Sequence, residues 1–303
     1  MSGQLFKFGV NKPKTPEVTT KPEISGNLEM SDSMFEEFRN EIYKLCGIYY
    51  TESKKYLLEG RIAKRLSINR LSRFEDYLRL IRSGNNREEL ERLFEAITIN
   101  ETYFYRAPQQ FEVLENIIIP EILEKRKFLP NPTFRIWSAA SSSGEEAYTL
   151  ALMVLESLKF KYPKVQFQIV GSDINQSVVE AARKGIYKEY AVRNIPQHLL
   201  LKYFKQDGNN YILSEEVKKL VKFTNVNLYD ANQVKTMSQC DVIFCANVLI
   251  YFDLPSKQQV VTYLYNALNK GGYLFIGYSE SLHGVSKSFK LVHLPKAMAY
   301  QKE

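Results

Sequence analysis

The chain has 303 residues, 45% hydrophobic and 25% charged, which suits one large domain or two modest ones of ordinary globular composition. No apolar run approaches the length of a membrane span and no signal-peptide core opens the chain, so no membrane insertion is expected and the cytoplasm is the expected compartment. The net charge is a mild +7, and neither the three cysteines (Cys46, Cys240, Cys245) nor the three histidines (His198, His283, His293) show ligand spacing or a CxxC, so neither a disulfide framework nor a metal site is expected.

Residues 1–30 carry Lys, Thr, Pro, Glu and Gly without an apolar period and read as a disordered tail. A helical pattern starts at Ser31, with Ser31 or Ser33 as cap, Phe35, Phe38, Ile42 and Leu45 on one face, and Gly47 as terminator. A second helix starts near Glu52, with Leu58, Ile62 and Leu66 at four-residue spacing as its buried stripe. From Lys54 to Arg73 there are seven basic residues and one acid, Glu59. Arg61 and Arg65 lie four apart on another face, so the basic side chains should gather on a solvent side and face either water or an anionic partner. Two more helices are predicted near Arg73–Ser83 and Arg87–Ile99, making residues 31–99 a small helical domain.

From Phe134 the pattern alternates between strands and helices. F-R-I-W-S-A-A-S-S-S-G-E-E-A-Y reads as a strand, a tight loop and the start of a helix whose apolar residues run from Ala147 to Leu158. Val165–Ser172 is a second strand ending on Asp173, followed by a helix over Gln176–Lys184. A looser stretch follows, with Asp207-Gly208-Asn209-Asn210 as a hairpin-like turn in a short antiparallel insert, about 187–222. Strands at Val221–Val226, Asp241–Cys245 and Tyr273–Gly277, a helix over Ser256–Asn269, and a final edge segment Phe289–Tyr300 complete residues 100–303. The fold class is therefore α/β, with a Rossmann-like and mostly parallel sheet.

Ligands of such sheets sit beyond the carboxyl ends of the strands. There the chain places the Ser141–Gly144 loop, whose glycine permits close backbone approach, then Asp173, and then Asn247 after the fourth strand. The G-x-G-x-x-G of dinucleotide enzymes is missing and no G-K-[ST] follows the first strand, while Glu145 and Glu146 stand where a phosphate binder carries glycines and lysine. Acid at this place suits the ammonium of S-adenosylmethionine, and Asp173 suits its ribose hydroxyls.

Further motifs, read together, resemble one family. N-E-T-Y-F-Y-R at Asn100–Arg106 looks like N-x-T-x-F-F-R, and R-I-W-S-A-A-S-S-S-G-E-E-A-Y is similar to R-V-W-S-A-A-x-S-x-G-E-E-P-Y, both signatures of the chemotaxis receptor methyltransferases, the CheR family. G-S-D-I at 171–174, G-I-Y at 185–187, Asn227-Leu228, F-C-A-N-V-L-I-Y-F-D at 244–253 and G-Y-S-E at 277–280 follow in that family's order.

The resemblance implies a seven-stranded methyltransferase sheet with a helical N-terminal domain. It also implies a reaction: methylation of receptor glutamates by S-adenosylmethionine, releasing S-adenosylhomocysteine and leaving methyl esters. By motif position it assigns Asn100, Thr102, Arg106, Glu146, Asp173, Asn227, Leu228 and Asn247 to the cofactor. It further places Tyr251 in the same pocket, with Arg106 and Tyr251 as catalytic candidates. Arg61, Lys64 and Arg65 of the basic second helix are candidates for steering the acidic cytoplasmic helices of methyl-accepting receptors. Nucleic acid is not an expected partner, and a monomer is expected. Ala246 departs from the family pattern, which places arginine directly before Asn247. A catalytically inactive cofactor-binding module is the alternative reading.

Overall fold

The computed structural model describes residues 29–84 and 86–303. All but the last two residues of the expected disordered tail lie outside this range. Met30 itself is buried, and its N–H donates to Glu59 Oε2 at 2.9 Å, so the ordered chain begins before Ser31.

Four helices form the N-terminal layer: α1 (Asp32–Cys46), α2 (Lys55–Ile68), α3 (Phe74–Arg82) and α4 (Arg87–Ile97). Ser31 caps α1 by accepting from the Met34 N–H, and Gly47 ends it at φ +74, a conformation that favours glycine. Phe35, Phe38, Ile42, Leu58, Ile62, Leu66, Tyr77 and Leu93 share one buried cluster, so the apolar stripes of all four helices meet.

The basic face of α2 differs from the sequence expectation. Arg65 donates to both carboxylate oxygens of Glu89, at 2.9 and 2.6 Å, and Tyr77 donates to the same carboxylate at 2.6 Å. The two charged side chains are only 11% and 6% exposed. Arg61 donates to the Ile97 carbonyl at 2.7 Å and the Tyr50 hydroxyl at 2.8 Å. Both arginines therefore turn into the helical domain, because partners 11 to 36 residues away supply what water otherwise would. Of the three candidates only Lys64 is exposed. Replacing Arg65 with alanine strands a buried carboxylate, so thermal or denaturant unfolding should show a loss of about 3 kcal/mol. A loss under 0.5 kcal/mol would contradict the buried pairing.

The second layer is a seven-stranded sheet of β1 (Thr133–Ala139), β2 (Gln166–Asp173), β6 (Val221–Asn225), β7 (Cys240–Cys245), β8 (Leu268–Ile276), β9 (Phe289–Leu294) and β10 (Ala297–Lys302). The spatial order is β6-β2-β1-β7-β8-β10-β9; the first five are parallel, and β10 runs antiparallel to both its neighbours. The chain reverses direction across the sheet between β1 and β7, which opens a crevice at their carboxyl ends. Strands β3 (Ile186–Tyr187), β4 (Phe204–Asp207) and β5 (Asn210–Leu213) form the small antiparallel sheet.

Two further features go beyond what the sequence pattern specifies. The last apolar segment pairs antiparallel at the sheet edge as expected and does so as a hairpin, because Pro295 and Lys296 (φ +61) turn the chain between β9 and β10. A helix absent from the pattern reading starts at Pro108–Val113, passes through a π turn at Leu114–Ile118 and ends at Ile119–Glu124. Among the described residues no helix is long and apolar enough to cross a membrane.

The helical layer is tied to the sheet layer by specific bonds. Asn227 Nδ2 donates to the Leu45 carbonyl at 2.7 Å, Ser256 Oγ to the Gly47 carbonyl at 3.0 Å, and the Tyr49 N–H to the Tyr251 carbonyl at 3.0 Å.

Candidate functional site

A cavity of about 510 Å³ lies at the carboxyl ends of β1, β2, β6, β7 and β8. Its wall includes the loops after these strands, the strap Ile97–Ala107, and Cys46 and Ile48 from the end of α1. Asn100, Thr102, Arg106, Glu146, Asp173, Asn227, Leu228, Asn247 and Tyr251 all line it; Arg61, Lys64 and Arg65 do not.

The loop after β1 is held in an uncommon shape. Ala140 and Ser142 have φ of +55 and +51, left-handed values that cost a non-glycine residue of order 1–3 kcal/mol each. The surroundings offset this. The Ser141 N–H donates to the Ser172 carbonyl at 2.7 Å, the Ser142 N–H to Asp173 Oδ2 at 2.9 Å, and Ser142 Oγ to the Asn100 carbonyl at 3.0 Å. Gly144 has a different use from the one its sequence suggests. A Cβ there would lie 2.8 Å from the Phe223 ring and 2.9 Å from the Ala182 side chain, so the glycine lets the loop pack on protein behind it. The buried Ser141 hydroxyl, also in the wall, has no hydrogen-bond partner among the described residues.

The acids of the site have distinct surroundings. Asp173 is 5% exposed, and its carboxylate accepts from the N–H groups of Ser142 and Asn175 at 2.9 and 3.0 Å. Burial raises its pKa, while those donors oppose the rise. Glu146 stands in the cavity wall and accepts from Ser138 Oγ at 2.8 Å. Burial pushes its carboxyl up to about 7, Ser138 and Arg106 pull it down, and Glu280 adds to the rise. Glu145 is absent from the wall; it accepts from Ser143 Oγ, and burial likewise pushes it up to about 7.

Among the described residues of the wall Arg106 is the one cation, against three carboxylates, Glu101, Glu146 and Asp173. Among the described residues of the wall no second cation stands in for the arginine that the family pattern places at Ala246. Arg106 is exposed, donates to the Glu101 carbonyl at 2.9 Å and lies 5.6 Å from the centre of the Tyr103 ring. Tyr251, half-buried, has its pKa raised by burial against the pull of Arg106 and Arg61, so its hydroxyl keeps its proton at neutral pH. Asn227 spends its side chain on positioning, its amide donating to Leu45 and its carbonyl accepting from the Tyr229 N–H.

Sequence reasoning passed over Glu280 as a site builder. Its carboxylate accepts from the N–H groups of Asn247 (2.8 Å), Gly277 (2.7 Å) and Ile250 (3.3 Å), which clamps the loops after β7 and β8 together. A Cβ on Gly277 would lie 2.9 Å from both Asn247 and Glu280, so these loops meet only because residue 277 is glycine. The G-Y-S-E motif contains both residues and was the available signal.

The arrangement fits S-adenosylmethionine. Asp173 has acceptor capacity for ribose hydroxyls, and the acid excess matches a ligand that carries an ammonium and a sulfonium. An ammonium beside Glu146 favours its ionised form. Binding strength is then fully present above pH 7 and lost as pH falls below it, by up to about tenfold per pH unit. Calorimetry with S-adenosylhomocysteine at pH 8 and pH 6 should show this decline, and Glu146→Gln should flatten it. A Glu146→Gln variant with the same pH profile as the parent would remove the carboxylate from the account.

Comparison with known proteins adds an independent line. Residues 100–298 match the family model described as CheR methyltransferase, SAM binding domain, and residues 33–98 match CheR methyltransferase, all-alpha domain. Chemotaxis protein methyltransferase 2 of Vibrio cholerae is 36% identical over 275 residues, covering 90% of this chain and 94% of its own. The chemotaxis protein methyltransferase of Borreliella burgdorferi is 33% identical over 267 residues, covering 88% and 94%.

Proposed function

Because the chain belongs to the CheR methyltransferase family and is an S-adenosylmethionine-dependent chemotaxis methyltransferase, we propose that its acceptors are glutamate side chains of chemotaxis receptors, left as methyl esters. The observation that carries the reading is the charge of the cavity: three carboxylates suit the cationic donor, and one guanidinium at the mouth is left for an anionic acceptor.

The chain's own work in transfer is placement. A glutamate carboxylate, with a pKa near ~4.3, is already ionised at neutral pH and needs no general base. When bound, S-adenosylmethionine supplies an activated methyl on a sulfonium. Arg106 orients the acceptor carboxylate through its planar fork of donors. Tyr251 offers a neutral hydroxyl as a second donor. Asp173 and Asn100 hold the ribose side, Glu146 holds the amino end, and Thr102, Asn227, Leu228 and Asn247 shape the rest of the wall. The strap Ile97–Ala107 helps to enclose the reacting atoms and exclude water, so proximity supplies most of the acceleration.

The acceptor is a cytoplasmic receptor helix met by one copy of the enzyme. With Arg61 and Arg65 engaged internally, steering falls to Lys64. Incubation with a receptor cytoplasmic fragment should add 14 Da at glutamates, located by tandem mass spectrometry. Methylation confined to lysine, arginine or chain termini would overturn the glutamate reading.

A further inference from the structure

The helical turn after β3 places Arg193 against the strap. Its guanidinium carbon lies 3.6 Å from the centre of the Tyr103 ring and 3.7 Å from that of Tyr190, in the angle between two rings set at 77°. Arg193 also donates to the Tyr190 carbonyl, and the Tyr190 hydroxyl donates to Glu101 Oε1 at 2.7 Å. The Phe104 N–H donates to the Ala191 carbonyl at 3.0 Å, which fixes this turn on the strap. Tyr103, Glu101 and Arg106 all line the cavity, so the assembly stands at its mouth.

What sets the two cations here apart is their shared place on one ring. Arg39, Arg65, Arg73, Arg79, Arg82, Arg87, Arg92 and Arg126 each pair with a carboxylate. Among the described residues Arg61, Arg70, Arg135 and Arg183 show no carboxylate partner, and neither do Arg106 and Arg193, though the last two are exposed and both sit on the ring of Tyr103. The one carboxylate bonded into the assembly, Glu101, is engaged by Tyr190. Contact with two tyrosine rings and the bond to the Tyr190 carbonyl restrict the Arg193 guanidinium while its other donors remain available, which lowers the ordering cost of receiving an anion.

We infer that Arg193 is a specificity-determining residue for the acceptor: it receives a carboxylate of an acidic acceptor segment while Arg106 holds the one to be methylated. This rests on the receptor-glutamate reading above. Tyr103 and Tyr190 set the spacing of the two cations, and Glu101 holds Tyr190 in place.

The test is steady-state transfer of labelled methyl to a receptor cytoplasmic fragment at varied fragment concentration, with parent, Arg193→Ala, Arg193→Lys and Tyr190→Phe. Arg193→Ala should raise the KM for the fragment about tenfold while kcat stays within about twofold. The KM difference should shrink as salt rises, because the contact is between charges near water. Arg193→Lys should fall between, Tyr190→Phe should raise KM by a smaller factor, and S-adenosylhomocysteine affinity should not change in any of them. An unchanged KM in Arg193→Ala overturns the inference, as does a salt-independent loss shared by kcat and cofactor affinity, which marks a structural prop. If the parent itself transfers nothing to the fragment, the receptor reading fails, and the inference fails with it.

Discussion

Replacing Arg106 with alanine is expected to lower methyl transfer by about 10²-fold, the cost of losing the group proposed to orient the acceptor carboxylate for in-line attack. The fold should survive, since the side chain is exposed and its own bonds are one to the Glu101 carbonyl and a stacking contact with Tyr103. The variant should also move the pH dependence of cofactor binding. Arg106 lowers the pKa of Glu146, so its loss raises that pKa further above the usual carboxylate range, and tight binding should begin at a higher pH. Arg106→Lys keeps the charge and loses the planar fork, and should recover only part of the rate. Labelled-methyl assays across pH, with thermal unfolding as control, measure all of this. Full activity in a folded Arg106→Ala enzyme removes the residue from the reaction.

Replacing Asp173 is expected to have the largest effect on cofactor affinity. Its carboxylate holds the Ser142 and Asn175 N–H groups and faces the cavity, so one group both fixes the strained loop and forms the wall. Asp173→Ala leaves buried donors unpaired, at about 1–3 kcal/mol each, and removes the acceptor proposed for the ribose. Together these should weaken S-adenosylhomocysteine binding at least ~100-fold and lower the melting temperature. Asp173→Asn retains one acceptor oxygen, so it should lose less stability than Asp173→Ala while still losing affinity. Calorimetry and a melting curve on both variants separate the loop role from the ligand role: affinity unchanged with stability reduced leaves Asp173 as a loop anchor alone.

The parts of this molecule legible in the sequence are those fixed locally. Ser31 and Gly47 bound α1 through their own caps, the apolar run before Ala139 makes a strand, and an acid at the end of β2 falls into the crevice wherever the helices lie. What the pattern leaves open depends on distant partners. Arg65 reads as a solvated charge until Glu89 and Tyr77 are folded beside it, and Arg61 until the Ile97 carbonyl arrives from 36 residues on. Gly144 carries the mark of a ligand loop, yet its missing side chain is required by Phe223 and Ala182. Glu280 and Arg193 act through loops and rings that meet only in three dimensions.

A structure with bound S-adenosylhomocysteine is the sharpest test of the proposed site. Both ribose hydroxyls are expected within hydrogen-bond reach of Asp173 and the amino group at Glu146, with the sulfur turned toward Arg106 and Tyr251. A ligand whose ribose and amino end contact neither Asp173 nor Glu146 would contradict the proposed site.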